Sequence, residues 1–177
     1  MKFKIFRFKK VVSTNNSAIK IIKNSNVNYG MIIADEQKNG RGQYGKKWIS
    51  YKGNLFVSFF YKFDNLTISI KQITKINCLL VKKLLSTYYK KKIIFKKPND
   101  LLINKKKICG ILQEKISKLN KKYLIVGIGI NLIKNPNFKN YPTTKLSELL
   151  NKKISKNKIE KQIKKIFEIK LKDLCIF

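Results

Sequence analysis

The sequence predicts an α+β domain, in which a mixed or antiparallel sheet has helices packed on one side. Seven short apolar or alternating segments bounded by turn residues indicate strands, and four segments with helical spacing of apolar residues indicate helices. With 177 residues, of which 44% are hydrophobic, the chain is long enough to bury one core. We therefore expect a single domain over residues 1–177.

The first half of the chain predicts three strands and two helices. Residues 3–8 alternate apolar side chains with Lys and Arg, as a half-exposed strand does. Ser13 and Thr14 are suitable N-caps for a helix over residues 16–23. Apolar runs predict buried strands over residues 31–34 and 55–61. An apolar stripe predicts a helix over residues 70–89 that packs on the core.

The second half predicts four strands followed by two helices. The strands lie at residues 93–95, 101–103, 108–115 and 123–131, with hairpin turns at 104–106 and 119–121. An irregular segment that contains Pro136 and Pro142 comes next, and helical patterns follow near residues 146–151 and 158–173.

The charge of the chain is extreme but evenly distributed. A formal net charge of +32 suggests a nucleic-acid or anionic membrane partner. However, Arg occurs only at positions 7 and 41, Ala only at 18 and 34, and Lys is spread over every segment. This joint skew is typical of AT-rich codon usage, so we expect no specific DNA partner and no membrane partner. A basic nucleic-acid-binding protein stays the alternative from another functional class.

The absence of histidine and the wide spacing of the cysteines exclude several kinds of catalytic and metal site. The chain has no histidine, which excludes Ser-His and Cys-His nucleophiles and imidazole zinc sites. Cys78, Cys109 and Cys175 are odd in number and widely spaced, as free thiols of a reducing cytosol are. No secretory signal precedes the first strand, and the longest apolar run, residues 124–130, is too short to span a bilayer. We expect a cytoplasmic protein.

A glycine-rich basic segment at residues 40–48 fits three nucleotide-site patterns. It matches the G-x-G-x-x-G of a dinucleotide fold, the G-x-x-x-x-G-K of a phosphate loop, and a basic loop that closes over an adenylate. The first two patterns must open directly into a helix, whereas here a predicted strand follows. What remains is a long, mobile, positively charged loop between strands, or a plain solvated loop.

Five other polar blocks stand at the ends of predicted elements, and each alone has a plain structural reading. Ser-Thr-Asn at 13–15 would be an N-cap, and Pro-Asn-Asp at 98–100 a turn. Gln37 follows a buried strand, and Lys107 stands three residues before a glycine. The Gly-Ile-Gly-Ile-Asn of residues 127–131 would be a bulge.

Three further matches belong with these blocks: Gly-Arg-Gly at 40–42 with Trp48, Ala-Asp-Glu at 34–36 before Gln37, and residues 108–112 after Lys107. Taken together, in this order and spacing, all of these segments resemble the biotin protein ligases over about residues 8–150. The resemblance implies the class II synthetase-like biotin/lipoate ligase fold and the catalytic domain alone. The N-terminal DNA-binding domain of repressor-type members would be absent, and the small C-terminal β-barrel domain absent or vestigial.

The resemblance implies a two-step reaction and its partners. Biotin would be joined to ATP with Mg²⁺ as a cofactor, and the biotinyl group would pass to a lysine of a biotin carboxyl carrier protein, a subunit of acetyl-CoA carboxylase. Homodimers are common in the family. A lipoate or octanoate ligase or transferase of the related fold is the nearest rival.

The resemblance also implies roles for sixteen residues. The catalytic residues would be Lys107, Arg41 and Asp100, and Asp100 would bind Mg²⁺ or accept the proton of the carrier lysine. The biotin site would consist of Ser13, Thr14, Asn15, Gln37, Gly40, Arg41, Gly42, Gln43, Lys107, Gly110 and Gly127. The ATP site would consist of Gln43, Lys46, Trp48, Asn99, Lys107 and Asn131.

Two positions depart from the pattern of the family. Gln43 stands where members often have a second arginine that helps to retain the adenylate, so we expect looser retention or compensation by Lys46 or Lys47. Lys97 stands where a tryptophan is usual, which removes an apolar contact near the pocket.

Overall fold

The computed structural model describes residues 2–63, 69–138 and 141–174. These residues form nine strands and four helices. The strands are β1 (Lys4–Val11), β2 (Tyr29–Gln37), β3 (Gly40–Arg41), β4 (Lys47–Trp48), β5 (Leu55–Lys62), β6 (Ile93–Lys96), β7 (Asp100–Ile103), β8 (Lys106–Lys118) and β9 (Lys121–Ile130). The helices are α1 (Thr14–Asn24), α2 (Ile70–Tyr88), α3 (Leu146–Leu150) and α4 (Lys156–Leu174). Seven of the strands and all four helices follow the predicted order, whereas β3 and β4 lie in a segment that was predicted to be a loop.

Seven of the strands form one mixed sheet in the order β1-β2-β5-β9-β8-β7-β6. The edge pair β1 and β2 is parallel, and every other neighbouring pair is antiparallel. The predicted mixed sheet is therefore confirmed. β3 and β4 pair only with each other.

Helices cover both faces of the sheet. On one face α2 and α4 bury the main core, where Phe59 stacks on Phe167 with ring centroids 4.2 Å apart. On the other face Ala18 and Ile22 of α1 pack against Phe60. The predicted placement on one side holds for α2 and α4, whereas α1 lies opposite. The sequence did not show this because the central strands are continuously apolar, and such runs do not indicate how each face is covered.

The two predicted hairpin turns are confirmed. Asn104 and Lys105 link β7 to β8 with φ values of 50° and 62°, the backbone that a two-residue hairpin loop favours. Leu119, with φ of 52°, begins the turn between β8 and β9. These tight turns keep the last three strands in an antiparallel meander.

Beyond α1, the same face of the sheet carries glycines instead of large side chains, and this part of the sheet is hollow. Tyr123 and Ile125 of β9 pack in the α1 cluster, and the next residues on that face are Gly127 and Gly129. Residues 123–130 keep a regular register with both neighbouring strands, so the predicted bulge here is wrong. The glycines leave open space above the sheet.

Two buried thiols belong to the main core. Burial raises the pKa of Cys78 to about 12 and raises the pKa of Cys109 well above its ordinary value. Both thiols are free, and their burial and raised pKa leave little reactive thiolate. Cys175 lies outside the described residues. Within the described ranges, none of the helices is both long enough and apolar enough to cross a membrane.

Candidate functional site

A cavity of about 770 Å³ lies above the hollow part of the sheet. Its walls are the N-terminus of α1, the segment 40–48, the start of β8 and the segment before β7. All but two of the predicted site residues line it, namely Ser13, Thr14, Asn15, Gln37, Arg41, Gly42, Gln43, Lys46, Trp48, Asn99, Asp100, Lys107, Gly110 and Gly127. The structure therefore brings together blocks that lie up to 114 positions apart in the sequence.

Glycines form the floor of the cavity because other residues approach the sheet closely there. A Cβ atom on Gly127 would lie 2.3 Å from Oδ1 of Asn15. A Cβ atom on Gly129 would lie 2.4 Å from Cε2 of Trp48, and one on Gly110 would lie 2.7 Å from Cζ3 of the same ring. Gly110 and Gly129 are directly opposite each other in the sheet. Side chains at these positions would fill the space that a ligand needs.

Segment 40–48, which we call the glycine loop, is a small hairpin. Gly40 pairs with Trp48 and Arg41 with Lys47 across a short turn. Tyr44, at the tip, has φ of 54° and is 91% exposed. No helix follows the loop, which agrees with the exclusion of the dinucleotide and phosphate-loop patterns. The predicted long open loop is in this structure an ordered hairpin, because its two ends pair.

Trp48 lies flat over the glycine floor. Its indole Nε1 is buried and has no hydrogen-bond partner among the described residues. The ring therefore combines an apolar surface with an unused donor inside the cavity.

Uncharged polar groups converge where α1 begins. Ser13 is the N-cap and accepts a hydrogen bond from the backbone N–H of Asn16 at 3.0 Å, so its plain structural reading is correct. Gln37 Oε1 accepts from the backbone N–H of Thr14 at 2.8 Å, and Gln37 Nε2 donates to Ser50 Oγ at 3.0 Å. Gln37 therefore already holds the helix N-terminus in place.

Lys107 is enclosed at the opposite end of the glycine floor. Its Nζ lies 2.8 Å from Asp100 Oδ1 and 5.3 Å from the ring centroids of both Trp48 and Tyr141. The Tyr141 hydroxyl donates a hydrogen bond to the other carboxylate oxygen of Asp100. Burial, together with that hydrogen bond, raises the pKa of the Tyr141 hydroxyl. The ammonium is thus held in one position, mostly out of water.

A β-bulge turns Lys107 into the cavity. Leu101 pairs with Cys109, but Leu102 pairs with Lys107, so Ile108 is an extra residue. Ile108 and Cys109 both point into the main core. Without the extra residue the strict alternation of a strand would place Lys107 on the core face.

Two predicted residues do not line the cavity. Gly40 lies behind it, where a Cβ atom would meet the backbone oxygen of Trp48 at 2.4 Å. Asn131 is 2% exposed; its side-chain amide donates to the Thr144 carbonyl and its backbone N–H to the Ile108 carbonyl. Asn131 therefore supports the bulge that carries Lys107, and its predicted contact with the nucleotide has no support in this geometry.

Three residues that hold the site together were not predicted from the sequence: Ser58, Glu114 and Tyr141. Glu114 stands two residues after Leu112 on the cavity face of β8, and the signal that could have indicated it is the rarity of acidic residues, of which the chain has only nine. Ser58 lies inside an apolar run, and only the pairing of β5 with β9 places it opposite Gly127. Tyr141 lies in an irregular segment, where no sequence pattern indicates it.

The cavity wall carries far more positive than negative charge. Among the described residues, its cations are Arg41, Lys46, Lys47, Lys96, Lys97 and Lys107, and its one lining carboxylate is Asp100. Such a surface attracts an anion with several charges.

The residues present fit a magnesium ion only in part. No cluster of three or more acidic or cysteine side chains occurs in the part of the chain that the structure describes. Both oxygens of Asp100 already have partners. A Mg²⁺ ion at this site would therefore be held mainly by the phosphates of its nucleotide, as this ion often is.

Comparison with known proteins agrees with this geometry. The model of the biotin/lipoate A/B protein ligase family matches residues 8–131. The bifunctional ligase/repressor BirA of Bacillus subtilis is 30% identical over 169 residues, which cover 91% of this chain and 51% of the relative. The biotin–[acetyl-CoA-carboxylase] ligase of Paracoccus denitrificans is 29% identical over 127 residues, which cover 70% of this chain and 52% of that one. The chain thus spans about half the length of these relatives.

A solved structure gives the same fold. The biotin protein ligase from Aquifex aeolicus, in complex with biotin and ATP, superposes with a TM-score of 0.78 at 30% identity, covering 96% of this chain and 71% of that one. The family match, the relatives and the fold agree, and the chain belongs to the biotin/lipoate A/B protein ligase family.

Proposed function

We propose that this chain joins biotin to ATP and transfers the biotinyl group to a lysine of a biotin carboxyl carrier protein. The observation that carries the proposal is the division of the cavity. Uncharged hydrogen-bonding groups stand over Gly127 of β9, and the enclosed Lys107 ammonium stands over Gly110 of β8. Gly110 pairs with Gly129, which is two residues further along β9 than Gly127. That distance is about 7 Å along a strand, which suits a ligand with a neutral ring at one end and a reacting carboxylate at the other.

In the first step a carboxylate oxygen of biotin attacks the α-phosphorus of ATP. A P–O bond forms, the bond to the β-phosphate bridging oxygen breaks, and pyrophosphate leaves. Negative charge accumulates on the α-phosphate oxygens in the transition state, so a fixed cation beside them lowers the barrier. Mg²⁺, bound through the phosphates, would supply further charge neutralisation.

Lys107 is the residue best placed to supply the fixed cation. Its side chain is 19% exposed and its ammonium is already oriented by Asp100, so little reorganisation is needed when charge develops. Asp100 and Tyr141 act through Lys107 as positioning residues. The Tyr141 hydroxyl stays protonated because its pKa is raised, and it continues to donate to Asp100.

The uncharged end of the cavity suits a cyclic urea. Thr14 and Asn15 line it and are almost fully buried, so a donor or acceptor of a ligand would replace few water contacts. Gln37 contributes indirectly, by holding Thr14.

In the second step the amine of the carrier lysine attacks the carbonyl carbon of biotinyl-AMP. The new C–N bond forms as the bond to the phosphate oxygen breaks, AMP leaves, and the amine loses a proton. Asp100 would accept that proton only after one of its present partners moves, so we assign it the positioning role first.

The test is incubation with ATP, Mg²⁺ and either biotin or lipoate, followed by mass spectrometry of the acyl-adenylate and of a carrier domain. We expect biotinyl-AMP and a biotinylated carrier lysine. Lys107→Ala should slow adenylate formation about 10²- to 10³-fold, the usual effect of removing one preorganised electrostatic group. Lys106→Ala, which removes an exposed neighbour outside the cavity, is the matched control.

The outcomes distinguish a biotin ligase from a lipoate ligase, and they test the role of Lys107 separately. A lipoyl product alone would support the lipoate ligase instead. A normal rate for Lys107→Ala would remove the assigned role of Lys107, while leaving the biotin assignment standing.

A further inference from the structure

We propose that Glu114 is a positioning residue that holds the glycine loop against the cavity through Arg41. Glu114 belongs to a continuous chain of hydrogen bonds that begins at Arg41 within the loop and ends at Ser50 just after it. The effect on adenylate retention rests on the proposed function, whereas the effect on the loop does not.

Glu114 joins three separate parts of the fold. It projects from β8, both of its carboxylate oxygens accept hydrogen bonds from the Arg41 guanidinium, and Oε2 also accepts from Asn15 Nδ2 at 2.7 Å. Its side chain is 24% exposed and that of Arg41 is 40% exposed. One carboxylate thus fixes the glycine loop and the start of α1 to the same strand.

The chain continues through buried groups to the far end of the loop. Ser58 Oγ lies 2.5 Å from Asn15 Oδ1 and 2.7 Å from Thr14 Oγ1. Thr14 donates to Gln37 Oε1, as described above, and Gln37 donates to Ser50. Gln37 stands three residues before the glycine loop and Ser50 two residues after it.

Arg41 and Lys107 each pair with a carboxylate, Glu114 and Asp100 respectively. Because the pair of Arg41 joins the glycine loop to β8, Arg41 holds the loop, and the remaining positive charge of the cavity wall comes from Lys46, Lys47, Lys96 and Lys97. The closed loop presses Trp48 onto Gly110 and Gly129. Loss of the ion pair would release the loop and the Trp48 ring together.

A half-exposed ion pair contributes little to global stability, so an unfolding temperature is a poor readout. Trp48 is a better one, because it is the only tryptophan in the chain and lies in the loop itself. Its emission wavelength and its quenching by acrylamide report the position of the loop without any substrate.

The test compares Glu114→Gln with Glu148→Gln. Glutamine at 114 keeps an acceptor for Asn15 but loses the charge that holds Arg41. Glu148→Gln removes a surface ion pair with Lys145 that lies outside the cavity. We expect Glu114→Gln to shift Trp48 emission to longer wavelength and to raise acrylamide quenching, because loss of a pair of this exposure favours the open loop by about two- to fivefold. The control should match the wild type.

Arg41→Gln supplies a second route that leaves β8 unchanged. It should reproduce the Trp48 change, and the double variant should be no more open than either single one, because both remove the same contact. Exchange of the charges, with Arg41→Glu and Glu114→Arg together, should restore part of the quenching protection.

In the active protein, Glu114→Gln should raise the dissociation rate of biotinyl-AMP more than it lowers the rate of adenylate formation. Unchanged Trp48 quenching in both Glu114→Gln and Arg41→Gln would overturn the inference. Absence of any adenylate in the wild type, with the Trp48 change present, would reject the proposed function and leave the positioning role of Glu114 intact.

Discussion

Gly129→Ala tests whether the glycine floor is shaped by Trp48. The added Cβ would lie 2.4 Å from Cε2 and 2.5 Å from Cζ2 of the indole. Carbon atoms pack comfortably at about 3.5–4.0 Å, so the ring must retreat by about 1 Å. β9 cannot move instead, because it is paired along its length with β5 and β8.

Gly129→Ala should lower the free energy of unfolding only slightly and should weaken ATP binding more. Trp48 belongs to a two-residue strand at a cavity edge, so the loss of stability should be about 1 kcal/mol, the lower limit for overpacking. The ring is expected to support the adenine, so displacing it should weaken ATP binding about tenfold, which corresponds to about 1.4 kcal/mol.

Gly127→Ala is the matched comparison on the same face of the same strand. Its Cβ would meet Asn15 Oδ1 at 2.3 Å, and Asn15 is 4% exposed and held by both Ser58 and Glu114. That side chain cannot retreat cheaply, so we expect a loss of about 2–3 kcal/mol. Denaturant unfolding, Trp48 fluorescence and calorimetry with ATP measure the three effects. Equal destabilisation of the two variants, with Trp48 emission unchanged in Gly129→Ala, would refute the reasoning.

Two further predictions concern charge. Gln43→Arg should slow the release of biotinyl-AMP about three- to tenfold, because a charged donor then lines the cavity where Gln43 does; an unchanged release rate would contradict this. The hydrogen bond from Lys156, at 2.8 Å, is the main cause that lowers the pKa of Asp35. A carboxyl with a lowered folded pKa stabilises the protein above its unfolded pKa and loses that effect as the pH falls. The difference in unfolding free energy between wild type and Asp35→Asn should therefore be constant near neutral pH and shrink below about pH 4; a difference that persists at pH 2 would argue against it.

The sequence predicted local features better than the meeting of distant ones. Each helix and each strand of the seven-stranded sheet was expected near its observed place, because turns such as Asn104-Lys105 and caps such as Ser13 are set by neighbouring residues. The pairing of β3 with β4 was not expected. The sequence motifs predicted site residues but not how these residues are arranged in space. The folded sheet brings fourteen of them to one cavity. Ser58 and Glu114 were missed because their role depends on which strands are neighbours.

The positions of α1 and of the Lys107 side chain were also not predicted, because they too depend on how the strands are arranged in the sheet. The position of α1 opposite the other helices depends on how buried strands share their two faces. The side to which Lys107 points depends on a register shift, and alternation along the sequence alone would have placed it in the core.

The extra residue in β8 constrains the length of this strand more than its chemistry. Positions 108 and 109 face the apolar core together, and exchanges among apolar side chains of similar volume there should be tolerated. Removal of one residue between 107 and 110 would reverse the side on which the ammonium lies, and would bury a charge among aliphatic groups. Variants of this chain can therefore exchange the apolar side chains at positions 108 and 109, provided that the number of residues between Lys107 and Gly110 is preserved.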